Sequence, residues 1–362
     1  MKLIQCIAFA ILLSGCEKSL SSALSTEMAR AKLQQALSSP SKKLTISPEI
    51  IIPEPTDPTA LLLQSTQITK MSQSLRMKAK ANAVFIYGSL TSLKVFCKEQ
   101  ESAMGNFPGP LPVIYCDSSA NKDAKMDIEE ISETGVDAVV YTINNGKEVA
   151  SVQDISDDDN LKITFDSAQE HGLQIIPELI LDASKEWSEQ ETSSLIGAIE
   201  EKCGSIPACL LSFPVSPVED DETAKEEMEP SVLPRVSSSI SKRLPILGSI
   251  REVAGGGRIG DAVAAYKEAG FNGAVLRCEC LPGFRMNPDL NFVQGFWSAA
   301  ISDLKSLKSK NFNFRSKVAL DKDIPLEWYN YQKNVMESGA LGKLGGGEGD
   351  PLNTDNGDYK GF

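Results

Sequence analysis

The sequence predicts a closed (β/α)8 barrel. From Leu44 onward, apolar runs of strand length alternate with longer amphipathic stretches. The apolar runs are continuous rather than alternating, which indicates strands buried on both faces, as in a parallel sheet covered by helices. Eight such strands within about 240 residues provide what a closed barrel needs. The alternative is an open doubly wound sheet, which needs a glycine-rich turn after its first strand, and the sequence has none there.

The predicted elements follow one another in regular order. The strands are residues 44–46, 83–87, 112–115, 138–143, 174–181, 209–213, 246–250 and 273–276. The helices are residues 60–79, 89–101, 126–134, 165–171, 188–202, 231–241 and 259–269. Three helices end at a glycine that directly precedes a strand, at Gly135, Gly172 and Gly270. Glycine there adopts the left-handed C-cap conformation, so we predict helix-to-strand junctions at these positions.

Other segments lie outside the barrel pattern. Residues 152–160 and 218–229 are acidic insertions, which we predict to be solvated loops or helix starts, with an acidic docking surface as the alternative. We assign residues 1–41 to a leader, 42–311 to the barrel, 312–340 to a C-terminal arm and 341–362 to a tail. The tail is rich in Gly, Asp and Asn, which predicts disorder. The arm carries Trp328, Tyr329 and Tyr331, and because such residues are favoured at interfaces, we expect a protein partner there.

The leader contains two conflicting signals. Residues 1–16 combine Lys2, an apolar stretch and Cys16 after Leu-Ser-Gly, which is typical of a secretory signal or a lipoprotein processing site. Residues 17–43 are rich in Ser, Ala, Leu and Lys, which resembles an organellar transit segment. We favour a plastid location, and secretion or a lipid anchor is the alternative.

Composition excludes several function classes. The formal net charge is −13 and the isoelectric point is about 4.8, so we expect neither a nucleic-acid partner nor unaided binding to anionic lipid. His171 is the only histidine, which argues against a histidine-based triad or a multi-histidine metal site. We therefore predict no metal site and no cofactor. We interpret His171 as structural, because it precedes a C-cap glycine at a helix end.

The eight cysteines do not form a metal-binding pattern. Cys6 and Cys16 lie in the leader, and the other six are scattered. Cys278 and Cys280 are two residues apart and are expected on one face of the last strand. A zinc site would need a Cys-x-x-Cys loop and a second ligand pair, which the sequence does not contain. We favour free buried thiols in a reducing compartment over disulfides.

Five fragments resemble one family when they are taken in order. They are ISPE at residues 46–49, PVIYCDS at 112–118, GVDAVV at 135–140, HGLQIIPEL at 171–179 and GFNGAVLRCE at 270–279. Their order and spacing resemble indole-3-glycerol phosphate synthase over roughly residues 42–285. That resemblance implies a (β/α)8 barrel and, for an active member, a decarboxylating ring closure on the tryptophan pathway.

The resemblance also implies that most catalytic groups are absent. The family's general-acid lysine corresponds to Cys116, and a neutral replacement removes the proton source. The other lost catalytic positions correspond to Lys42, Leu44, Leu247 and the region 214–216. Only the glutamate at the end of the fifth strand remains, as Glu178. A buried glutamate there would have a raised pKa and could act as a base, although a leftover carboxylate in a wet barrel mouth is the favoured interpretation.

The candidate catalytic residues are therefore Glu178, Asp117 and Cys116. Cys116 has no nearby histidine to activate it, so a simple buried thiol is favoured over a nucleophile, and the role of Asp117 is open.

The family's phosphate site is altered as well. The last-strand glycine is replaced by Cys278, and Glu49 takes the place of a serine, where its carboxylate would repel a phosphate. Arg277 and a glycine-rich loop after the seventh strand could compensate, although a flexible connection is the simpler interpretation of that loop. The candidate phosphate-binding residues are Ser249, Gly255, Gly256, Gly257, Arg258 and Arg277.

These observations favour a non-catalytic binding or scaffold protein built on this barrel. The partners would be a protein that binds the arm and, as a further option, a phosphorylated small molecule. The alternative is a divergent synthase, or another barrel enzyme with a phosphorylated substrate, that uses Glu178.

Overall fold

The chain forms a closed barrel of eight parallel strands in the order β1 to β8. The computed structural model describes residues 27–38, 44–116, 127–214, 233–251, 259–281 and 289–306. The strands are β1 (Thr45–Ile52), β2 (Val84–Gly88), β3 (Val113–Cys116), β4 (Ala138–Thr142), β5 (Gln174–Ile180), β6 (Cys209–Ser212), β7 (Ile246–Ile250) and β8 (Gly273–Leu276). β1 pairs with β8 as well as with β2, which closes the barrel. The predicted fold class is confirmed.

Helices cover the outside of the barrel. They are α1 (27–37), α2 (Pro58–Ser74), α3 (Leu90–Ser102), α4 (Ile128–Ser132), α5 (Val152–Ser156), α6 (Asp159–Glu170), α7 (Glu189–Cys203), α8 (Ser238–Ser241), α9 (Ile259–Glu268) and α10 (Leu290–Ser306). α2 continues into a π-helical turn, Leu75–Ala79. Within the described residues, no helix is long and apolar enough to cross a membrane.

The three predicted glycine junctions have the expected backbone. Gly135, Gly172 and Gly270 have φ values of 86°, 75° and 95°, and each lies just ahead of a strand. At Gly270 a side chain would also collide with a backbone carbonyl, because a Cβ atom would lie 2.6 Å from the Val236 oxygen. The helix-to-strand junctions are therefore confirmed.

Several elements differ from the prediction. β1 extends to Ile52, well beyond the predicted residues 44–46. The acidic insertion 152–160 forms α5 and the start of α6, capped by Ser151 and Asp158, whereas the insertion 218–229 lies outside the described residues. α10 was not predicted as a separate element, although its Trp297 is fully buried.

The pair Cys278 and Cys280 was expected on a strand, and this is wrong. β8 ends at Leu276, and residues 278–280 form a single 3₁₀ turn. The Cys278 Sγ atom donates to the Glu49 carbonyl at 3.2 Å, and the Cys280 Sγ atom donates to the Arg251 carbonyl at 3.0 Å. Five cysteines within the described residues are buried free thiols, namely Cys97, Cys116, Cys203, Cys209 and Cys278.

α1 closes the end of the barrel at which the strands begin. Its Leu33 and Leu37 are fully buried and belong to the interior cluster that includes Phe85, Ile176 and Leu210. Three hydrogen bonds attach α1 to the starts of strands: Thr45 Oγ1 donates to the Leu37 carbonyl, Asn82 Nδ2 to Ala36 and Gln34 Nε2 to Ile206. Residues 27–37 lie inside the segment 1–41 for which we predicted a leader.

Candidate functional site

The interior of the barrel changes from apolar to polar along the strand direction. Side chains alternate along a strand, so residues two apart point to the same side. The interior cluster contains Phe85, Val140, Ile176, Leu210 and Val275. The positions two residues further along the chain from these five are polar, and they are Tyr87, Thr142, Glu178, Ser212 and Arg277. Glu49 of β1 and Ser249 of β7 belong to the same polar layer. Polar groups thus meet at the carboxyl ends of the strands, where barrel enzymes place their active sites.

Arg277 lies at the centre of this polar layer and is 1% exposed. Its Nε atom donates to Ser249 Oγ at 2.7 Å. One terminal nitrogen donates to Glu49 Oε2 at 2.5 Å and to the Tyr87 hydroxyl at 3.1 Å. The other donates to Glu178 Oε1 and to Ser212 Oγ, the latter at 3.3 Å. A guanidinium has five N–H donors, so each donor of Arg277 has a protein partner.

The two glutamates paired with Arg277 have further partners of their own. Ser212 Oγ donates to Glu178 Oε1 at 2.5 Å, and Thr142 Oγ1 donates to Glu178 Oε2 at 3.0 Å. The Cys278 backbone N–H donates to Glu49 Oε1 at 3.1 Å. Both carboxylates are buried, with Glu178 3% and Glu49 4% exposed. We call Arg277, Glu49 and Glu178 the buried triad. Because burying an unpaired charge is costly, the barrel is stable with this triad inside it only while these hydrogen bonds are made.

Arg277 and Glu178 shift each other's pKa values. Burial acts to raise the pKa of Glu178, but Arg277 and the hydrogen bond from Ser212 outweigh it and hold the pKa below its ordinary value of 4.5. The expectation of a raised pKa is therefore wrong, because the sequence did not reveal the cation beside this carboxylate. For Arg277, burial is outweighed by Glu178 and Glu49, which raise its pKa well above the usual value.

Cys116 lies at the end of β3 and is 1% exposed. Burial raises the pKa of this thiol well above its ordinary value, and the Glu49 carboxylate adds to the rise. The thiol is therefore neutral, and a neutral thiol is a poor nucleophile. The expectation of a buried thiol at this position is confirmed.

The structure brings some of the candidate site residues together. Glu178, Cys116, Ser249 and Arg277 all belong to the polar end of the barrel interior, and Arg277 bonds directly to two of the others. Asp117 and the loop Gly255, Gly256, Gly257 and Arg258 lie outside the described residues. The catalytic and phosphate-binding roles of all these residues stay predictions.

A cavity of about 700 Å³ opens above one side of this layer. Glu49, Tyr87 and Arg277 line it together with residues beyond the ends of β1, β2 and β3. Its remaining walls include Ile51, Glu54, Ser89, Thr91, Tyr115, Glu130, Arg251 and Glu279. Within the described part of the chain, no group of three or more His, Cys, Asp or Glu side chains could hold a metal ion.

Sequence reasoning missed the pairing of Glu49 with Arg277. Each was interpreted separately, Glu49 as a repulsive carboxylate and Arg277 as a phosphate ligand. The detectable signal was that two unusual charges of opposite sign occupy β1 and the position directly after β8, and these two strands are neighbours in a closed barrel. Tyr87, Thr142 and Ser212 gave no signal of their own, because hydroxyl residues at strand ends are common.

Comparison with known proteins does not assign this chain to a family. Neither a protein-family profile nor a curated protein matches the chain. Among solved structures, tryptophan synthase of Pyrococcus furiosus is 9% identical with a TM-score of 0.42, covering 73% of this chain and 98% of its own. N-acetylneuraminate lyase of Mycoplasma synoviae is 11% identical with a TM-score of 0.40, covering 84% and 81%. 2,3-Dimethylmalate lyase is 14% identical with a TM-score of 0.39, covering 88% and 99%. These weak similarities support no functional argument, and the fold assignment rests on the strand order and closure described above.

Proposed function

We propose that this protein is a non-catalytic binding or scaffold protein built on a barrel resembling indole-3-glycerol phosphate synthase. The observation that supports the proposal is Arg277, whose five donors are all bound to side chains of the barrel. An anion entering the mouth would have to displace Glu49 or Glu178 to reach this guanidinium. A barrel whose central cation is neutralised by its own carboxylates is poorly suited to binding a phosphorylated substrate.

The state of the other candidate catalytic groups agrees with this proposal. A general base must come within hydrogen-bond reach of the proton that it removes. Both oxygens of Glu178 already accept hydrogen bonds, from Arg277, Ser212 and Thr142. The neutral Cys116 thiol does not supply the cationic charge of the lysine expected at its position, and burial raises its pKa, which makes it a weaker acid than an ordinary thiol.

The location and the partner belong to the same proposal. We propose that the protein acts in a plastid and that the arm at residues 312–340, which lies outside the described residues, binds another protein. The aromatic residues of that arm and the five buried free thiols support the proposal. Secretion or a lipid anchor through residues 1–16 is the alternative location.

The second candidate function is a divergent synthase, or another barrel enzyme with a phosphorylated substrate, that uses Glu178. The cavity of about 700 Å³ favours this candidate, because it opens at the carboxyl ends of the strands and has the size of a substrate pocket. In that case substrate binding would have to separate Glu178 from Arg277.

Turnover and binding measurements on the full chain test the two candidates. The substrate would be the anilino-deoxyribulose-phosphate precursor, and calorimetry would measure binding of indole-3-glycerol phosphate. We expect no product and no binding heat at millimolar ligand. An active synthase run in the same assay is the positive control. Product formation that Glu178→Gln abolishes would contradict the scaffold function and establish the enzyme.

A further inference from the structure

Three large apolar side chains are exposed at the end of the barrel where the strands begin. Met77 is 55% exposed on the π-helical turn that follows α2, and Met104 and Phe107 are 65% and 99% exposed in the loop after α3. We call these three residues the apolar patch. Grouped apolar side chains on a surface mark places where another surface binds. Methionine suits such a place because its side chain adapts to a partner.

A buried polar network fixes the two elements that carry the patch. One terminal nitrogen of Arg76, which precedes Met77, donates to the carbonyl of Pro108, which follows Phe107, at 3.1 Å. The other terminal nitrogen donates to Glu99 Oε1 at 2.7 Å, and both charged side chains are buried. These bonds hold the π-helical turn against the loop after α3. The patch is therefore a formed surface rather than a set of loose side chains, which favours docking without rearrangement.

The chain leaves α10 close to this patch. α10 packs against both α2 and the π-helical turn. Near the end of α10, Lys305 Nζ donates to Asn82 Oδ1 at 2.7 Å and also to the Lys80 carbonyl. Lys80 is three residues after Met77. The chain that follows Ser306 therefore starts from the same end of the barrel that carries the patch.

A segment of suitable chemistry follows α10 in the sequence. Residues 323–331 read DIPLEWYNY, and they combine two aliphatic and three aromatic side chains with the acids Asp323 and Glu327. The exposed lysines Lys78 and Lys80 lie beside Met77. Apolar character and charge thus both match between this segment and the patch. The segment itself lies outside the described residues.

The connection to this segment is long enough. Residues 307–322 join α10 to it, and a chain of that length can span about 20 Å or more. Because segment and patch belong to one chain, the effective concentration of the segment at the patch is on the order of 1 mM. Contacts that would be weak between separate molecules are therefore sufficient here.

We propose that residues 323–331 pack on the apolar patch of their own barrel, with the aromatic rings on Met77, Met104 and Phe107. This goes beyond the proposed function, because a partner protein that binds the arm then has to displace the arm from the barrel. The two proposals fail separately. An exposed Trp328 contradicts only the packing on the patch, and the absence of any partner contradicts only the partner.

Acrylamide quenching of tryptophan fluorescence in the full chain tests the packing. The chain has three tryptophans, and Trp187 and Trp297 are buried, so the difference between the original chain and Trp328→Phe reports on Trp328. We expect Trp328 to be shielded from acrylamide. The shielding should not depend on protein concentration, since segment and patch belong to the same chain.

The double variant Met77→Glu with Met104→Glu removes two apolar contacts and places carboxylates opposite Asp323 and Glu327. It should make Trp328 as accessible to acrylamide as a free tryptophan derivative. Both substituted positions are exposed, so the fold should be retained, which urea unfolding checks.

Leu62→Glu with Leu63→Glu is the matched control. It introduces the same two charges at exposed apolar positions near the start of α2, the opposite end of that helix from Met77, and should leave Trp328 shielded. The proposal is overturned if Trp328 is fully accessible in the original chain, if shielding persists in the variant of the two methionines, or if the control loses shielding equally. Shielding that disappears on dilution would also overturn it, because the occupant of the patch would then be a second copy.

Discussion

Arg277 stabilises the barrel mouth because it pairs with two buried carboxylates. Replacing it by methionine leaves Glu49 and Glu178 buried without a cation, while the apolar part of the side chain is retained. Removing one partner of a buried ion pair costs about 3–5 kcal/mol. We expect Arg277→Met to lower the free energy of unfolding in urea by that amount.

A compensated variant distinguishes charge from packing. Arg277→Met combined with Glu49→Gln and Glu178→Gln removes all three charges together, so most of the lost stability should return. If Arg277→Met alone were as stable as the original chain, the ion pairs of Arg277 with Glu49 and Glu178 would not stabilise the barrel.

Glu178 makes stability depend on pH in a defined direction. Its pKa in the folded protein lies below the ordinary 4.5, so the unfolded chain takes up the proton first as the pH falls. The stabilisation is therefore complete at neutral pH and is lost as the pH drops below about 4.5 toward the folded-state pKa. We expect the stability difference between the original chain and Glu178→Gln to shrink over that range, measured by urea unfolding. A difference that grows on acidification would disagree.

Individual site residues were only partly predictable. Glu178 and Arg277 were identified as unusual because they stand at strand ends, where the pattern of a barrel places functional groups. Their mutual bond was not predicted, since a side chain's partner across the barrel depends on strand tilt and stagger, which a single sequence does not specify.

At the scale of elements, apolar periodicity predicted the strands after β1 correctly, but it predicted only part of β1 and did not predict α1. β7 and β8 have the predicted bounds, and the ends of the other strands after β1 differ from the prediction by at most one residue. β1 was predicted too short because Ser47, Pro48 and Glu49 are atypical of a strand. α1 was not predicted because the composition of residues 17–43 resembles a transit segment. The helical spacing of Leu33 and Leu37 was the signal that could have indicated it.

The helix α1 should contribute measurably to stability. Leu37 is 0% exposed at the end of the barrel, so Leu37→Ala removes buried apolar volume and leaves a cavity. Such a change costs about 2–5 kcal/mol. Gln35→Ala, at an exposed position of the same helix, is the control and should change stability by less than about 0.5 kcal/mol. Equal effects of both substitutions in urea unfolding would mean that α1 does not close the barrel.

At the scale of the whole molecule, charge limits the choice of partners. The chain carries 49 acidic and 36 Lys or Arg residues. A polyanion such as duplex DNA is repelled by this excess, and non-specific binding requires cationic contacts with phosphates. We expect no change in the fluorescence anisotropy of labelled duplex DNA at physiological salt. Saturable binding at micromolar protein would contradict the exclusion of nucleic acid.

The bond between Arg277 and Glu49 has a consequence for synthesis of the chain. These residues are 228 positions apart, and they join the first strand to the residue that follows the last. While the ribosome is still making β8, β1 has no neighbour on one edge and Glu49 has no counterion. A nascent chain therefore cannot bury that carboxylate at low cost. Completion of the barrel and neutralisation of its centre must therefore wait until Arg277 has been synthesised, so chains truncated before Arg277 should be retained by chaperones or degraded.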